Sequence, residues 1–191
     1  DRDGVLVRDG GLMTRNDQLE LLPGVPQALQ ELDTLGFRLV VVTNQTIVAR
    51  GLVSERDVER MNEWLQDSIL KQGGPRLAGF YVCPHHPNAD LQAYRVDCEC
   101  RKPRPGLLLR AAKELDIDLS ESVMIGDRIS DIAAGQRAGC ATILVCTGQH
   151  ESAPIQSPEA MEGVRPDAEC ADLPAAAALI RSGSLRHRER P

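Results

Sequence analysis

Four short apolar runs, at residues 37–42, 79–82, 122–125 and 141–145, are separated by stretches of helical spacing, and this alternation constrains the chain more than any other feature. Near-continuous apolar runs belong to strands covered on both faces, and strands alternating with helices are joined as parallel βαβ units. An α/β fold, a mostly parallel sheet flanked by helices, is therefore predicted. In three of the four runs a polar or metal-binding residue follows at once: Thr43, Cys83, and Asp127 after Gly126. Ligands of open α/β sheets bind at these carboxyl ends.

Helices are predicted over residues 24–35, 105–115, 130–138 and 173–181, with Gly36 and Gly139 as stops. A further helix begins behind Ser54, where Asp57 completes a capping box and Val58, Met61, Leu65 and Ile69 recur at helical spacing. Residues 148–172 read as loop, and the basic stretch 181–191 as a disordered tail. One domain, residues 1–180, is expected. Aromatic residues make up only 3% of the chain, so its core must be built from Leu, Val, Ile and Ala. A net charge of −6 gives no cationic field for nucleic acid, and no run approaches the roughly 18 apolar residues of a membrane span. A cytoplasmic monomer acting on a small molecule is the expectation.

Chemistry-bearing residues fall into four groups. Asp1-x-Asp3-Gly4 puts two carboxylates two residues apart, suited to a nucleophile and a general acid/base, although alone it reads more readily as a polar turn with solvated acids. Thr43 offers a hydroxyl at a strand end. Lys102 offers a point charge for phosphoryl oxygens. Asp127, with Asp131 after it, offers carboxylates to a hard cation such as Mg²⁺.

In this order the four groups resemble the motifs of the haloacid dehalogenase-like phosphohydrolases, over residues 1 to about 180. Within that superfamily, Asp1-Arg2-Asp3-Gly4, Thr43-Asn44-Gln45, Ala49-Arg50-Gly51, Cys83-Pro84-His85-His86-Pro87 and Cys98-x-Cys100-Arg101-Lys102-Pro103 look like the D-glycero-D-manno-heptose-1,7-bisphosphate 7-phosphatases. Histidinol-phosphate phosphatases are near relatives, and a catalytically silent zinc-stabilised module is the alternative from another class. The resemblance implies a Rossmann-like sheet without a large cap domain and an apolar strand before Asp1. It implies Asp1 as nucleophile, Asp3 as acid/base, and Thr43 and Lys102 as groups that stabilise the transferring phosphoryl. Mg²⁺ would be held by Asp1, the Asp3 carbonyl and Asp127. Substrate would meet Asp9, Asn44, Arg101 and Arg128. Asp131 would orient Lys102 or a metal-bound water.

Cys83-x-His85, twelve residues, then Cys98-x-Cys100 supplies three thiolates and an imidazole, the donor set of a closed tetrahedral Zn²⁺ site in a loop spanning 83–100. With no position left open, this zinc is expected to be structural. His86 is left unassigned between substrate contact and surface. Cys140, Cys146 and Cys170 are expected as small core residues, and His150 and His187 receive no role.

Overall fold

A computed structural model describes residues 1–148 and 162–185. Among the described residues, five strands form two groups, parallel within each. β1 (Val40–Asn44) pairs with β2 (Gly79–Cys83), while β3 (Val123–Gly126), β4 (Ala141–Val145) and β5 (Ala168–Cys170) pair in that order. Six α-helices accompany them: α1 (Val25–Thr34), α2 (Thr46–Ala49), α3 (Glu55–Lys71), α4 (Gly106–Leu115), α5 (Ile129–Ala138) and α6 (Leu173–Arg181).

Alternate side chains of a strand point to opposite faces, and the core divides accordingly. Val41, Ile143 and Val145 pack with α1, α3 and α6 in one cluster. Val42, Tyr81 and Met124 pack with Leu107 and Ala111 of α4 in another. The sheet layer is thus covered on both sides, as its apolar runs require. Between β1 and β3 lies a cleft of about 570 Å³, bordered by residues 40–42 and 123–125, with Asp1 among its lining residues.

The predicted elements are present, with instructive shifts. β1 starts three residues later than its apolar run and continues through Thr43 and Asn44, because pairing with β2 carries the ladder on to Asn44 opposite Cys83. α3 opens as expected: Ser54 Oγ accepts from Asp57 N at 3.2 Å, and Asp57 Oδ2 accepts from Ser54 N at 2.8 Å. Gly36 and Gly139 take the left-handed conformation, at φ of 90° and 94°. The loop expected over 148–172 is corrected by β5, which lies within it and pairs with β4. Three residues carry too little pattern to announce a strand, and this one is specified by its partner. Of the expected disordered tail, Arg181 closes α6, and residues 186–191 lie outside the described residues, as do His150 and His187. No described helix is long and apolar enough to cross a membrane.

Candidate active site and thiolate cluster

The register places the chemistry on one edge. Thr43 and Asn44 end β1, Cys83 ends β2, and Gly126 ends β3 with Asp127 next in sequence. Asp1 joins them from beside β3, its amine donating to the Ile125 carbonyl at 2.7 Å. The following turn is tight: Leu6 N donates to Arg2 O at 2.9 Å and Gly4 N to Val7 O at 2.8 Å.

Lys102 is the hub. It is 4% exposed, and its Nζ lies 2.9 Å from Asp1 Oδ1, 2.7 Å from Asp131 Oδ1 and 2.9 Å from the Val42 carbonyl. Asp131 Oδ2 accepts from Arg128 N at 3.0 Å, capping α5, so one carboxylate fixes both a helix start and the lysine. Asn44 exchanges two hydrogen bonds of 3.2 Å with the Lys102 backbone, Nδ2 donating to the carbonyl and Oδ1 accepting from the N–H. Expected from sequence at the substrate, it also ties the end of β1 to the Lys102 backbone.

Asp127 is fully buried, and neither of its oxygens has a hydrogen-bond partner among the described residues. Its nearest cation is Arg128 Nε at 3.6 Å. Gly4, at φ 80°, and Gly148 make room for it, since a Cβ would come within 2.5 Å and 1.8 Å of Asp127 Oδ2. Burial, then the charge of Asp131, raises the Asp127 carboxyl to about 6; Arg128 and Lys102 oppose the shift. Asp1, Asp127 and Asp131 each bring a carboxylate oxygen within 4.8 Å of the others. Three carboxylates around one ammonium leave an excess of negative charge, and desolvated anions of this kind demand a cation. An all-oxygen set suits Mg²⁺.

Arg128 Nη2 meets Asp9 Oδ2 at 2.8 Å, so two residues expected at the substrate are joined across 119 positions of sequence. Arg101 Nη1 donates to the His85 carbonyl at 3.3 Å, tying the residue before Lys102 to the thiolate cluster.

In that cluster Cys83, His85, Cys98 and Cys100 place their donor atoms within 4.8 Å of one another. Sγ to Sγ separations are 3.1, 3.2 and 3.6 Å, and His85 Nδ1 lies 3.3 Å from Cys100 Sγ. Those separations are far longer than a disulfide bond, and the widest, 3.6 Å, approaches the roughly 3.8 Å edge of a tetrahedron with 2.3 Å Zn–S bonds. Burial and the neighbouring Cys100 push the Cys83 thiol up, so three thiolates at such distances require a metal ion to coexist. The donor set therefore fits Zn²⁺.

Of the three cysteines expected in the core, Cys140 is buried and Cys170 half-buried, but Cys146 is exposed. It directly follows β4, and its apolar neighbours in sequence end with that strand. His86 is half-buried beside Arg101 and Arg50, whose charges add to burial in lowering its pKa.

Sequence reasoning passed over Arg2, Gln45 and Asn62. Arg2, 1% exposed, binds Asp3 through Nε at 2.9 Å and Nη2 at 3.1 Å, and reaches Asn62 of α3. Gln45 Nε2 donates to Asp3 Oδ2 at 2.7 Å and Thr43 Oγ1 at 2.9 Å. A signal for Asn62 was present, because it interrupts the apolar stripe of α3 at a position that must be buried.

Displacement at phosphorus asks for a carboxylate held beside fixed positive charge, and this edge of the sheet supplies one. Known proteins place the chain in the same class. The HAD-hydrolase-like family model matches residues 99–176. D-glycero-beta-D-manno-heptose-1,7-bisphosphate 7-phosphatases of Photorhabdus laumondii and Escherichia coli K12 are 43% and 44% identical over 150 residues, covering 78% of this chain and 79% and 78% of theirs. The crystal structure of D,D-heptose 1,7-bisphosphate phosphatase from B. bronchiseptica, complexed with magnesium and phosphate, superposes with a TM-score of 0.79 at 31% identity, covering 96% of each chain. The chain belongs to the haloacid dehalogenase-like hydrolases, in the family of the heptose-bisphosphate phosphatases. It is a phosphatase.

Proposed function

We propose that this phosphatase removes the 7-phosphate of D-glycero-D-manno-heptose 1,7-bisphosphate through an aspartyl-phosphate on Asp1. The observation that carries the mechanism is the Lys102 contact to Asp1 Oδ1 at 2.9 Å. Arg2 N also donates to Oδ1, at 2.6 Å, so among the described residues Oδ2 is the Asp1 oxygen without a partner, and it is the attacking atom. Asp3 gives its proton to the leaving sugar oxygen and then takes one from the water that cleaves the acyl phosphate. Thr43 and Lys102 hold the phosphoryl oxygens, and Asn44 and Asp131 hold Lys102.

Asp1, the Asp3 carbonyl and Asp127 are the residues to hold Mg²⁺, which when bound would neutralise phosphate and carboxylate charge in the same pocket. The empty hydrogen-bonding capacity of Asp127 supports that assignment. Zn²⁺ in the Cys83, His85, Cys98 and Cys100 set would be structural, pinning the loop that carries Arg101 and Lys102. Arg101 and Arg128, the latter set by Asp9, are the substrate-facing cations. A bisphosphate offers them a second anion, whereas histidinol phosphate offers an amine that they repel. Residues 1–180 act as one domain, and the protein works as a cytoplasmic monomer.

A substrate panel tests this reading. Heptose bisphosphate is expected to have much the highest kcat/KM, and Arg101→Ala to lose more of it than of activity on a small phosphomonoester. A preference for histidinol phosphate would refute the substrate assignment while leaving the roles of Asp1, Asp3, Lys102 and Asp127 in place.

A further inference from the structure

The carboxylate of Asp3 is held more completely than acid/base chemistry alone requires. Three N–H donors converge on its two oxygens: Arg2 Nε on Oδ1 at 2.9 Å, Arg2 Nη2 on Oδ2 at 3.1 Å, and Gln45 Nε2 on Oδ2 at 2.7 Å. Guanidinium and amide N–H groups can only donate, so the arrangement fits a carboxylate that accepts from all three. Each donor is itself anchored. Arg2 is 1% exposed and its Nη1 donates to Asn62 Oδ1 at 3.3 Å, on α3; Asn62 is also buried. Gln45 is buried, its N–H donates to the Cys83 carbonyl at 2.8 Å, and its second amide proton goes to Thr43 Oγ1. One carboxylate is thereby fixed to a helix on one side and to the ends of β1 and β2 on the other.

We propose that Arg2 and Gln45 are positioning residues for Asp3, holding its carboxylate in the orientation that activates water in the second half of the reaction. The proposal rests on the aspartyl-phosphate mechanism above. In that half, the water oxygen bonds to phosphorus as the bond from phosphorus to the Asp1 oxygen breaks, its electron pair returning to the Asp1 carboxylate. The water proton passes to Asp3, which becomes the carboxylic acid. In the next first half, that proton leaves on the departing alkoxide, and Asp3 returns as a carboxylate to the three donors. A bidentate guanidinium fixes direction as well as charge, which a flexible lysine does not do. The amide of Gln45 also links Asp3 to Thr43, coupling the base to a group that holds the phosphoryl.

The test uses p-nitrophenyl phosphate with Mg²⁺, whose aryl leaving group departs without protonation. Stopped-flow traces of Arg2→Lys and Gln45→Ala are expected to show a p-nitrophenolate burst close to one per protein. A steady state about 10- to 100-fold slower than wild type should follow, a share of the 10²–10⁴ that general base catalysis supplies. Acid quench should trap correspondingly more acyl phosphate. Burst and steady state that fall together in folded Gln45→Ala, or unchanged rates in that variant, overturn the proposal. Gln45→Ala decides if Arg2→Lys does not fold, because it removes no buried charge. Wild-type protein that turns over without a trappable acyl phosphate would instead refute the underlying mechanism.

Discussion

The thiolate cluster and the carboxylate cluster stand on the same edge of the sheet, and each gathers anions at hydrogen-bond range, yet they are built on opposite plans. Cys83, His85, Cys98 and Cys100 contact one another and supply four soft donors, as many as a tetrahedral ion accepts. Asp1, Asp127 and Asp131 share their space with Lys102, and one carboxylate pairs with it, one pairs and caps a helix, and one accepts nothing. A set that satisfies a metal fully can only hold structure. A set with a cation already inside and donor capacity left over can receive a phosphate as well as a metal, and that is the difference between a pin and a reaction centre.

The largest effect should come from Asp1. Asp1→Asn is expected to lower phosphate release by at least about 10³-fold with the far-ultraviolet spectrum unchanged, because an amide cannot form the acyl phosphate. Appreciable turnover would remove the carboxylate cluster from the chemistry. Next come the cysteines. Purified, reduced protein should carry one equivalent of zinc, and Cys98→Ser or Cys100→Ser should lose it together with about 10- to 100-fold of activity. Asp127→Asn should keep its zinc and lose its response to Mg²⁺. Metal analysis and Mg²⁺ titration on the same samples check both; a shared loss of both metals would erase the distinction between the clusters.

A smaller effect separates the clusters by pH. The Asp127 carboxyl is raised to about 6 in the fold against 3.8 as its ordinary value, so between these pH values the folded chain holds the extra proton. Stability therefore falls as pH rises through that window, and the penalty is complete above it. Metal-free Asp127→Asn should melt roughly 5 °C above metal-free wild type at pH 7.5 and close to it at pH 4. Mg²⁺ should close the gap at pH 7.5 by stabilising wild type alone. A difference in melting temperature that is flat with pH would contradict the picture of Asp127 as a buried carboxylate without hydrogen bonds.

Sequence carried the donors of both clusters, because their residue types and order are unusual and lie at strand ends that apolar runs announce. It carried the capping box of α3 and the stops at Gly36 and Gly139 for the same reason: each is a local device. What it did not carry was long-range commitment. Nothing in the sequence around Asn44 announces that residue 102 will approach the end of β1 and exchange two hydrogen bonds with its amide. Arg2 lies between the two aspartates, where a charged residue is ordinarily solvated. Its burial against Asn62 depends on α3 crossing sixty residues later. β5 likewise exists through β4 and not through its own three residues.

The smallest expected effect belongs to Cys146, the exposed one of the three cysteines outside both clusters. Cys146 follows β4 and is exposed, while Cys83 is buried and surrounded by the other three donors. Replacement by Ser removes no packing at an exposed position, so Cys146→Ser should change stability by less than about 0.5 kcal/mol and leave zinc content untouched. Its thiol lies open to solvent, whereas zinc would hold the cluster donors. Iodoacetamide added to zinc-loaded protein should therefore alkylate Cys146 well before Cys83, Cys98 or Cys100, and a chelator should bring those three into reaction. Mass spectrometry of timed digests reads the order directly. Rapid labelling of Cys98 or Cys100 before chelation would mean that the donors are open to solvent and the cluster is not the closed pin that its geometry describes.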